Sequence, residues 1–417
     1  MQAVIAIPEL VASAAGQSRL RELVMRRVAG IPLLKRTILT ASRAGSTDTL
    51  LICVDAASHT LAREISHGMA SSGIRVRSVY FSRFDPRDPS SWKKLEALVS
   101  DSFLWVPWNW VTSRRFLTNL PVEASSSADW AQPALISLRM AAGKGVTCSS
   151  PHPEGVAVNS LQDIPNAERF LVARSGKVLD GIHTSFNRWL CRPFVRLLSY
   201  TSVSPNAVTF GGVAVSFLSA TAFARGGYWH SVLGAALFYL AGLFDEVDGM
   251  LARIKFAESP RGTWLEGLAD GLSYVLLFVG ITIGMCHRYG RPAMVMGILL
   301  LIGTLLSLAV TSLQRRLATT ADRPNEYRDR MYELLESDAG NWISRFVRRV
   351  EAFIRRGIFI CYVFILTVIG ALPLIFLLAT VGANLTWILT LYFNRRFFAR
   401  SFHMGTRSPA NTPKETL

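Results

Sequence analysis

The sequence predicts a two-part protein: an N-terminal α/β domain with a doubly wound sheet, and a C-terminal all-α polytopic membrane domain with six transmembrane helices. Half of the 417 residues are hydrophobic. The apolar runs that approach the roughly 20 residues of a transmembrane helix all lie after residue 200. Before that point, short apolar runs alternate with amphipathic stretches, which is the pattern of a doubly wound sheet. A charged stretch at 245–270 stands beside two of the long apolar runs.

The first domain is predicted at 1–170. Three short apolar runs are typical of buried parallel strands, and two amphipathic stretches of helices. The predicted strands are 2–7, 50–54 and 74–81, and the predicted helices are 32–44 and 61–72.

Residues 171–203 are predicted to form a linker and an interfacial helix. From 177 to 200, apolar residues recur at helical spacing and Arg188, Arg192 and Arg196 lie between them. This pattern favours a helix lying in the membrane interface, with a kink at Pro193. The alternative is an ordinary amphipathic helix packed on the soluble domain.

The membrane domain is predicted at 204–393, followed by a basic tail at 394–417. Ser204 can cap the first helix and Pro205 suits its first turn. The six predicted spans are 207–225, 230–247, 267–286, 292–313, 357–372 and 374–393.

Charge predicts the sidedness of these spans. An even number of spans places both termini on one side, and most arginines of the loops and tail also fall there, so that side is predicted to be cytoplasmic. The segment 322–356, rich in arginine and acids, is predicted to form a solvated surface helix. The protein is therefore expected to be a multi-pass protein of the inner or plasma membrane.

The net charge of +16 could indicate nucleic-acid binding, but the arginines cluster beside the apolar runs, where membrane topology already accounts for them. We therefore expect a lipid bilayer as a partner and no nucleic acid. The five cysteines form no C-x-x-C pair, which argues against a zinc site or a disulfide framework. The N-terminus has no positive region before its apolar residues, so no signal peptide is predicted.

The stretch 245–270 carries four spaced carboxylates. Asp245 and Asp248 share one helical face, and Glu266 and Asp270 share another. Carboxylates beside a membrane helix are costly unless they are paired or bind metal, and hard oxygen ligands suit Mg²⁺ or Mn²⁺. Two ions beside Arg253, whose guanidinium suits phosphate, would form a phosphoryl-transfer site. The alternative is a set of helix-end charges solvated at the interface.

The stretch resembles the signature of the CDP-alcohol phosphotransferase family, D-x2-D-G-x2-A-R-x8-G-x3-D-x3-D. Seven positions match it, and the flanking S-P-N-A-V-T and L-A-D-G-L-S-Y are also similar; the resemblance covers 180–393. The seven positions are Asp245, Asp248, Gly249, Ala252, Arg253, Gly262 and Asp270.

The resemblance implies a membrane enzyme that transfers a substituted phosphate from a CDP-linked donor, CDP-diacylglycerol or a CDP-polyol, to an alcohol acceptor and releases CMP. It implies metal ligation by the four carboxylates and a general base at Asp270. It also implies a donor-binding role for five residues: Asn206, Gly249, Ala252, Arg253 and Gly262. Members of the family commonly form homodimers. Glu266 departs from the family aspartate, and its extra methylene moves the oxygens by about one bond length, roughly 1.5 Å.

The first domain resembles sugar-phosphate nucleotidyltransferases at G-I-P-L-L-K-R-T-I-L-T-A-S-R-A-G (30–45). The glycine-rich phosphate loop of that family is reduced to Ala14, Ala15, Gly16 and Arg19, and Asn109 lies in the run where its metal-binding aspartate is expected. The domain is therefore predicted to be inactive in nucleotidyl transfer. The layout of the two domains resembles the fused inositol-phosphate cytidylyltransferase and di-myo-inositol-phosphate phosphate synthase type.

The sequence leaves two other functions open. One is a non-catalytic membrane scaffold with a pseudo-nucleotidyltransferase domain. The other is a bifunctional enzyme whose first domain still activates a sugar phosphate with CTP.

Overall fold

The structure is a computed structural model that describes residues 1–8, 14–69, 73–120, 130–138, 141, 154–176, 182–318, 345 and 356–404. The chain forms two compact units, each built from several segments. The first unit comprises Met1–Val178, Arg192–Ser202 and Met250–Ala257. The second unit comprises Leu179–Cys191, Val203–Gly249 and Glu258–Leu417.

The first unit is built on a five-stranded sheet of order β5-β4-β1-β6-β8, flanked by two two-stranded sheets, β2-β3 and β7-β9. The described strands are β1 (Gln2–Ile7), β2 (Arg27–Val28), β3 (Ile31–Pro32), β4 (Asp48–Cys53), β5 (Arg75–Tyr80), β6 (Ser102–Trp105), β7 (Trp110–Thr112), β8 (Ala134–Ser137) and β9 (Gly155–Ala157). All neighbours in the large sheet are parallel except β6 and β8. The predicted α/β class with a parallel sheet is confirmed.

Apolar layers cover both faces of this sheet, as the continuous apolar runs of its strands require. Along β4, Leu51 and Cys53 pack with α2 and α3 on one face. Leu50 and Ile52 pack on the other face with the aromatic cluster around Trp92. The helices of this unit are α1 (Ala14–Met25), α2 (Leu33–Arg43), α3 (Ala56–Met69), α4 (Pro89–Lys94), α5 (Arg114–Thr118) and α6 (Ile164–Arg174).

The third helix begins earlier than its sequence pattern predicts. It starts at Ala56, whereas the apolar periodicity placed its start at Leu61. The cause is Asp55, whose Oδ1 accepts a hydrogen bond from the backbone N–H of Ser58 at 2.7 Å and so caps the first turn.

The remaining helices are α7 (Ile182–Ser199), α8 (Pro205–Ala224), α9 (Tyr228–Ile254), α10 (Pro260–Tyr289), α11 (Arg291–Ala318), α12 (Arg356–Val368) and α13 (Leu372–Met404). Helices α7 and α9 each contribute residues to both units. Along α7, four large apolar side chains are more than half exposed: Phe186, Trp189, Phe194 and Leu197. This exposure suits a helix in the membrane interface, which stays a prediction.

Four helices of the described chain are long and apolar enough to cross a membrane, and they identify an integral membrane protein. They are Pro205–Ala224, Pro260–Tyr289, Arg291–Leu313 and Leu372–Tyr392. The predicted second span lies in α9, which is not among them because three acids stand in its C-terminal half. The predicted fifth span contains only a shorter apolar helix, Ile358–Val368. Apart from Arg345 and Arg356, the predicted surface helix at 322–356 lies outside the described residues.

Helices α8 and α10 pack closely through small residues. A Cβ atom added to Gly280 would lie 2.4 Å from the Ala220 carbonyl oxygen, and one added to Gly284 would lie 2.2 Å from the Phe223 carbonyl oxygen. Glycines four residues apart allow two backbones to approach in this way. Ser216 also donates a buried hydrogen bond to Ser273 at 2.9 Å. These contacts hold α8 and α10 together. On α10 they lie after Asp270, on the C-terminal side of the carboxylate stretch.

Candidate active site

The site begins at the capped N-terminus of α8. Ser204 Oγ accepts a hydrogen bond from the backbone N–H of Ala207 at 3.2 Å, and Pro205 occupies the first turn. This start leaves Asn206 exposed and places Thr209, three residues later on the same face, in a buried position. Asn206 and Thr209, both from the S-P-N-A-V-T segment, therefore lie on the first two turns of α8.

Asp248 of α9 is the most buried of the four predicted metal ligands, at 4% exposed. Its Oδ2 accepts a hydrogen bond of 2.5 Å from the Thr209 hydroxyl. A hydrogen bond to a carboxylate is stronger than one between neutral groups, and it fixes the rotamer of the acid. Helices α8 and α9 are joined at this point by a polar contact.

The negative charges of Asp245 and Glu266 both act on the Asp248 carboxylate. Asp245, Glu266 and Asp270 are half-buried, with Asp270 one turn after Glu266 on α10. The Asp248 carboxylate on α9 therefore lies within the electrostatic influence of Glu266 on α10. Across the part of the chain that the structure describes, however, no three His, Cys, Asp or Glu side chains are gathered so as to hold a metal ion.

The chemistry of these residues fits a divalent cation. A buried carboxylate with two like charges nearby is costly, and either protonation or a bound cation relieves that cost. The side chains supply hard oxygen ligands of the kind that Mg²⁺ and Mn²⁺ prefer.

Two predicted donor-binding residues, Asn206 and Gly262, lie close together. A Cβ atom added to Gly262 would be 3.8 Å from Asn206 Oδ1 and 3.2 Å from Ser259 Oγ. Ser259 caps α10 by accepting a hydrogen bond from the backbone N–H of Gly262 at 3.0 Å. The N-termini of α8 and α10 therefore meet beside these two residues, where larger side chains at 262 would fill the space.

The other three predicted donor-binding residues lie near the C-terminal end of α9. Gly249 directly follows Asp248 and belongs to the second unit, whereas Ala252 and Arg253 belong to the first. Arg253 Nε donates a hydrogen bond to the carbonyl of Ser175.

Sequence reasoning missed two contacts. Thr209 belongs to the S-P-N-A-V-T segment, but its pairing with Asp248 could be predicted only with the geometry of α8 against α9. Glu246, next to Asp245, accepts a hydrogen bond from Arg188 Nε at 3.1 Å, and the side chains are 20% and 11% exposed respectively. The arginines of α7 were visible in the sequence as an interleaved series, without a signal that one of them faces α9.

In the first unit, Asn109 lies between β6 and β7, and its Nδ2 donates to Asn159 Oδ1 at 2.7 Å. An amide pair thus stands where the resemblance leads one to expect a metal-binding aspartate. The residues Ala14, Ala15 and Gly16 of the reduced phosphate loop lie in the first turn of α1.

Comparison with known proteins finds similarity in the second half of the chain. Residues 202–392 match the family described as CDP-alcohol phosphatidyltransferase. The chain is 30% identical over 152 residues to a bifunctional IPC transferase and DIPP synthase of Rubrobacter xylanophilus, covering 36% of this chain and 34% of that protein. The resemblance to a fused, two-domain type is thereby confirmed.

The chain also matches two other transferases over shorter stretches. Cholinephosphotransferase 1 of Gallus gallus is 30% identical over 91 residues, covering 20% of this chain and 27% of that protein. Archaetidylinositol phosphate synthase of Methanothermobacter thermautotrophicus is 32% identical over 77 residues, covering 18% and 38%. The chain therefore spans less than two fifths of the length of each of these relatives. A crystal structure of Mycobacterium tuberculosis phosphatidylinositol phosphate synthase with CDP-DAG bound has 22% identity and a TM-score of 0.32, covering 51% of this chain and 92% of that one.

Proposed function

We propose that the domain at 202–392 is a metal-dependent phosphotransferase that moves a substituted phosphate from a CDP-linked donor to an alcohol acceptor and releases CMP. The observation that carries this proposal is the buried Asp248, held by Thr209 and accompanied by the charges of Asp245 and Glu266. The family match and the phosphotransferase relatives support the same reaction class.

In this reaction Asp270 accepts the proton of the acceptor hydroxyl. The hydroxyl oxygen forms a bond to the β-phosphorus of the donor, while the bond from that phosphorus to the bridging oxygen breaks. CMP leaves with the bridging oxygen, and a phosphodiester remains. Asp270 suits the role of base because it is half-buried and lies one turn beyond Glu266.

The four carboxylates Asp245, Asp248, Glu266 and Asp270 would hold Mg²⁺ or Mn²⁺, with two ions as the proposed number. When bound, such ions neutralise charge on the donor phosphates and polarise the phosphorus. The chain itself contributes the fixed rotamer of Asp248, since the Thr209 hydrogen bond holds its carboxylate in place before substrate arrives.

The proposed donor site is formed by Asn206, Gly249, Ala252, Arg253 and Gly262. The proximity of Asn206 and Gly262 supports it, because a glycine beside an exposed amide leaves room for a phosphate or ribose group. We propose that the donor is CDP-diacylglycerol or a CDP-polyol, a choice motivated by the family and by the bifunctional relative.

We further propose six membrane spans, with the second and fifth in α9 and α12, and with both termini and the active site on the cytoplasmic side. The arginine-rich segments on that side support this orientation. A homodimer is proposed from the family resemblance alone. The first domain is proposed to lack nucleotidyltransferase activity, as Asn109 and the reduced phosphate loop suggest.

The test is CMP release by the purified full-length chain, crossing CDP-diacylglycerol and CDP-polyol donors with glycerol, serine and inositol phosphates. We expect release that requires Mg²⁺ or Mn²⁺ and disappears in Asp248→Asn and Asp270→Asn. Asp101→Asn is the matched control, because Asp101 is an exposed acid of the first unit. Undiminished release in both site variants would overturn the proposal.

Calorimetry separates the alternatives. A folded chain that releases no CMP and binds neither CDP nor Mn²⁺ would point to a non-catalytic scaffold. Pyrophosphate release from CTP by the Asp248→Asn chain would instead restore the bifunctional hypothesis.

A further inference from the structure

Arg36, in the middle of α2, is an arginine with almost no contact with solvent. It is 2% exposed, and its Nε donates to the Val28 carbonyl at 3.0 Å while its Nη2 donates to the Ala29 carbonyl at 3.2 Å. The same Nη2 donates to the carbonyl of Ile254 at 3.1 Å, across 218 residues of sequence. A buried guanidinium costs free energy unless its donors are satisfied, and here backbone carbonyls satisfy three donor contacts.

A second arginine of α2 binds the same segment. Arg43, seven residues and two turns after Arg36, donates through Nη2 to the carbonyl of Phe256 at 3.1 Å. The Arg36 guanidinium carbon also lies 5.4 Å from the centroid of the Phe256 ring, within cation–π range. Phe256 has a φ of 54°, a left-handed conformation that a bulky side chain rarely adopts without such support.

Arg36 is itself held by a second layer of contacts. The loop at Ala29 and Gly30 has positive φ values of 48° and 84°, and the Ala29 N–H donates to Glu168 Oε1 at 3.0 Å. Glu168 is 1% exposed and also accepts a hydrogen bond from Arg196 Nε at 3.1 Å and one from the Tyr200 hydroxyl. Burial lowers the pKa of Arg36 to about 9, against the attraction of Glu168, so the guanidinium is still charged at neutral pH.

The segment that these arginines bind is Met250–Ala257, which belongs to the first unit. Two more cations tie it there: Lys255 Nζ donates to the Thr201 carbonyl at 2.8 Å, and Arg253 Nε donates to the Ser175 carbonyl. The segment begins directly after Gly249 and contains Ala252 and Arg253. Its backbone is therefore fixed by the same domain that has an amide in place of a metal-binding acid.

We propose that the N-terminal α/β domain serves as a positioning device for Met250–Ala257, with Arg36 and Arg43 as positioning residues that fix the backbone around Ala252 and Arg253. In this role the domain affects donor binding through the backbone of Met250–Ala257 and catalyses no nucleotidyl transfer. The inference rests on the proposed function for its catalytic consequence, and on backbone contacts alone for its structural part.

The structural part is tested by hydrogen exchange on the full-length chain without substrate. The reporters are the amides of Lys255, which donates to Leu251 O, and Ala257, which donates to Ala252 O, both at 2.9 Å. In Arg43→Gln we expect peptide 250–257 to exchange roughly tenfold faster, because a hydrogen bond from a charged donor is lost. Arg36→Gln should accelerate hydrogen exchange in the same peptide by a larger factor than Arg43→Gln. The control Arg77→Gln removes an arginine that pairs with Asp48 at the far edge of the large sheet and should leave the segment unchanged.

The catalytic part is tested by the kinetics of CMP release. We expect the KM for the CDP donor to rise in Arg43→Gln while kcat changes little, since the carboxylates lie outside Met250–Ala257. If Arg36→Gln does not fold, Arg43→Gln decides, because Arg43 is only half-buried. Wild-type exchange and wild-type KM in Arg43→Gln would overturn the inference. Faster exchange with CMP release unaffected by Asp248→Asn would support the positioning contacts while refuting the proposed function.

Discussion

Gly284 offers the sharpest test of how α8 and α10 are held together. An alanine Cβ at this position would lie 2.2 Å from the backbone oxygen of Phe223, whereas carbon–oxygen contacts are normally no closer than about 3.3 Å. The oxygen belongs to a helix backbone and cannot rotate away. Overpacking of this kind costs about 3 kcal/mol at the upper end of its usual range, offset by about 1 kcal/mol of helix propensity gained over glycine. We therefore expect Gly284→Ala to destabilise the protein by about 2 kcal/mol.

Gly382→Ala is the matched control. Gly382 also lies inside a long membrane helix, α13, but a Cβ added there meets no atom within 4 Å. It should gain up to about 1 kcal/mol from helix propensity, so the two variants should differ by about 3 kcal/mol.

The assay is thermal unfolding of the purified chain in detergent, with CMP release measured on the same samples. For a domain of about 200 residues, such as 202–392, a shift of about 2–4 °C per kcal/mol applies, so the two alanine variants should differ in the Tm of that domain by roughly 6–12 °C. Gly284→Ala should also lose CMP release, since α8 and α10 carry Asn206 and Gly262. Equal melting temperatures for Gly284→Ala and Gly382→Ala would refute the close packing of α8 against α10.

Two further predictions concern Asp248 and the first unit. Thr209→Val keeps the shape of the side chain but removes the hydrogen-bond donor to Asp248, and should weaken Mn²⁺ binding and CMP release by about 10–100-fold. Thr209→Ser keeps the hydroxyl and should retain both. Equal Mn²⁺ titrations for the two variants would contradict this prediction. Burial, with a smaller effect from the negative charge of Asp55, raises the pKa of the Cys53 thiol from 9.0 to about 12. The folded state thus favours the protonated thiol. The stability advantage of wild type over Cys53→Ala, measured as the difference in urea midpoints, should be constant below pH 9 and should shrink as pH rises toward 12. An advantage that grows with pH would contradict this prediction.

The α/β domain was predictable because its strands are covered on both faces. A strand such as β4, with Leu50 and Leu51 facing opposite layers, leaves a continuous apolar run that stands out in the sequence. The start of α3 was not predictable from apolar periodicity, since the cap at Asp55 adds a turn before the first periodic leucine.

The carboxylates of the candidate site were predictable from spacing, because residues three and four apart share a helical face. Their partners were not. The hydrogen bond between Thr209 and Asp248 joins residues 39 apart, and the ion pair between Arg188 and Glu246 joins residues 58 apart. Such contacts depend on how helices cross, which the pattern of a single helix does not record.

The membrane spans could be predicted from the sequence only in part. Four were recognisable by length and hydropathy in sequence and structure alike. The acids that make α9 a candidate for chemistry also make it too polar to be recognised as a span by composition. Hydropathy is least informative at the helix where the proposed site lies.

The division of the chain into interleaved units has a consequence for biosynthesis. Arg36 reaches its carbonyl partner at Ile254 across 218 residues, and Glu168 reaches the Tyr200 hydroxyl across 32. At about 5–20 residues per second, roughly 10–40 s of translation separate the two ends of the Arg36 contact. The ribosome thus finishes the sheet long before Arg36 can be fully satisfied. Maturation of the N-terminal domain therefore waits for synthesis of α9.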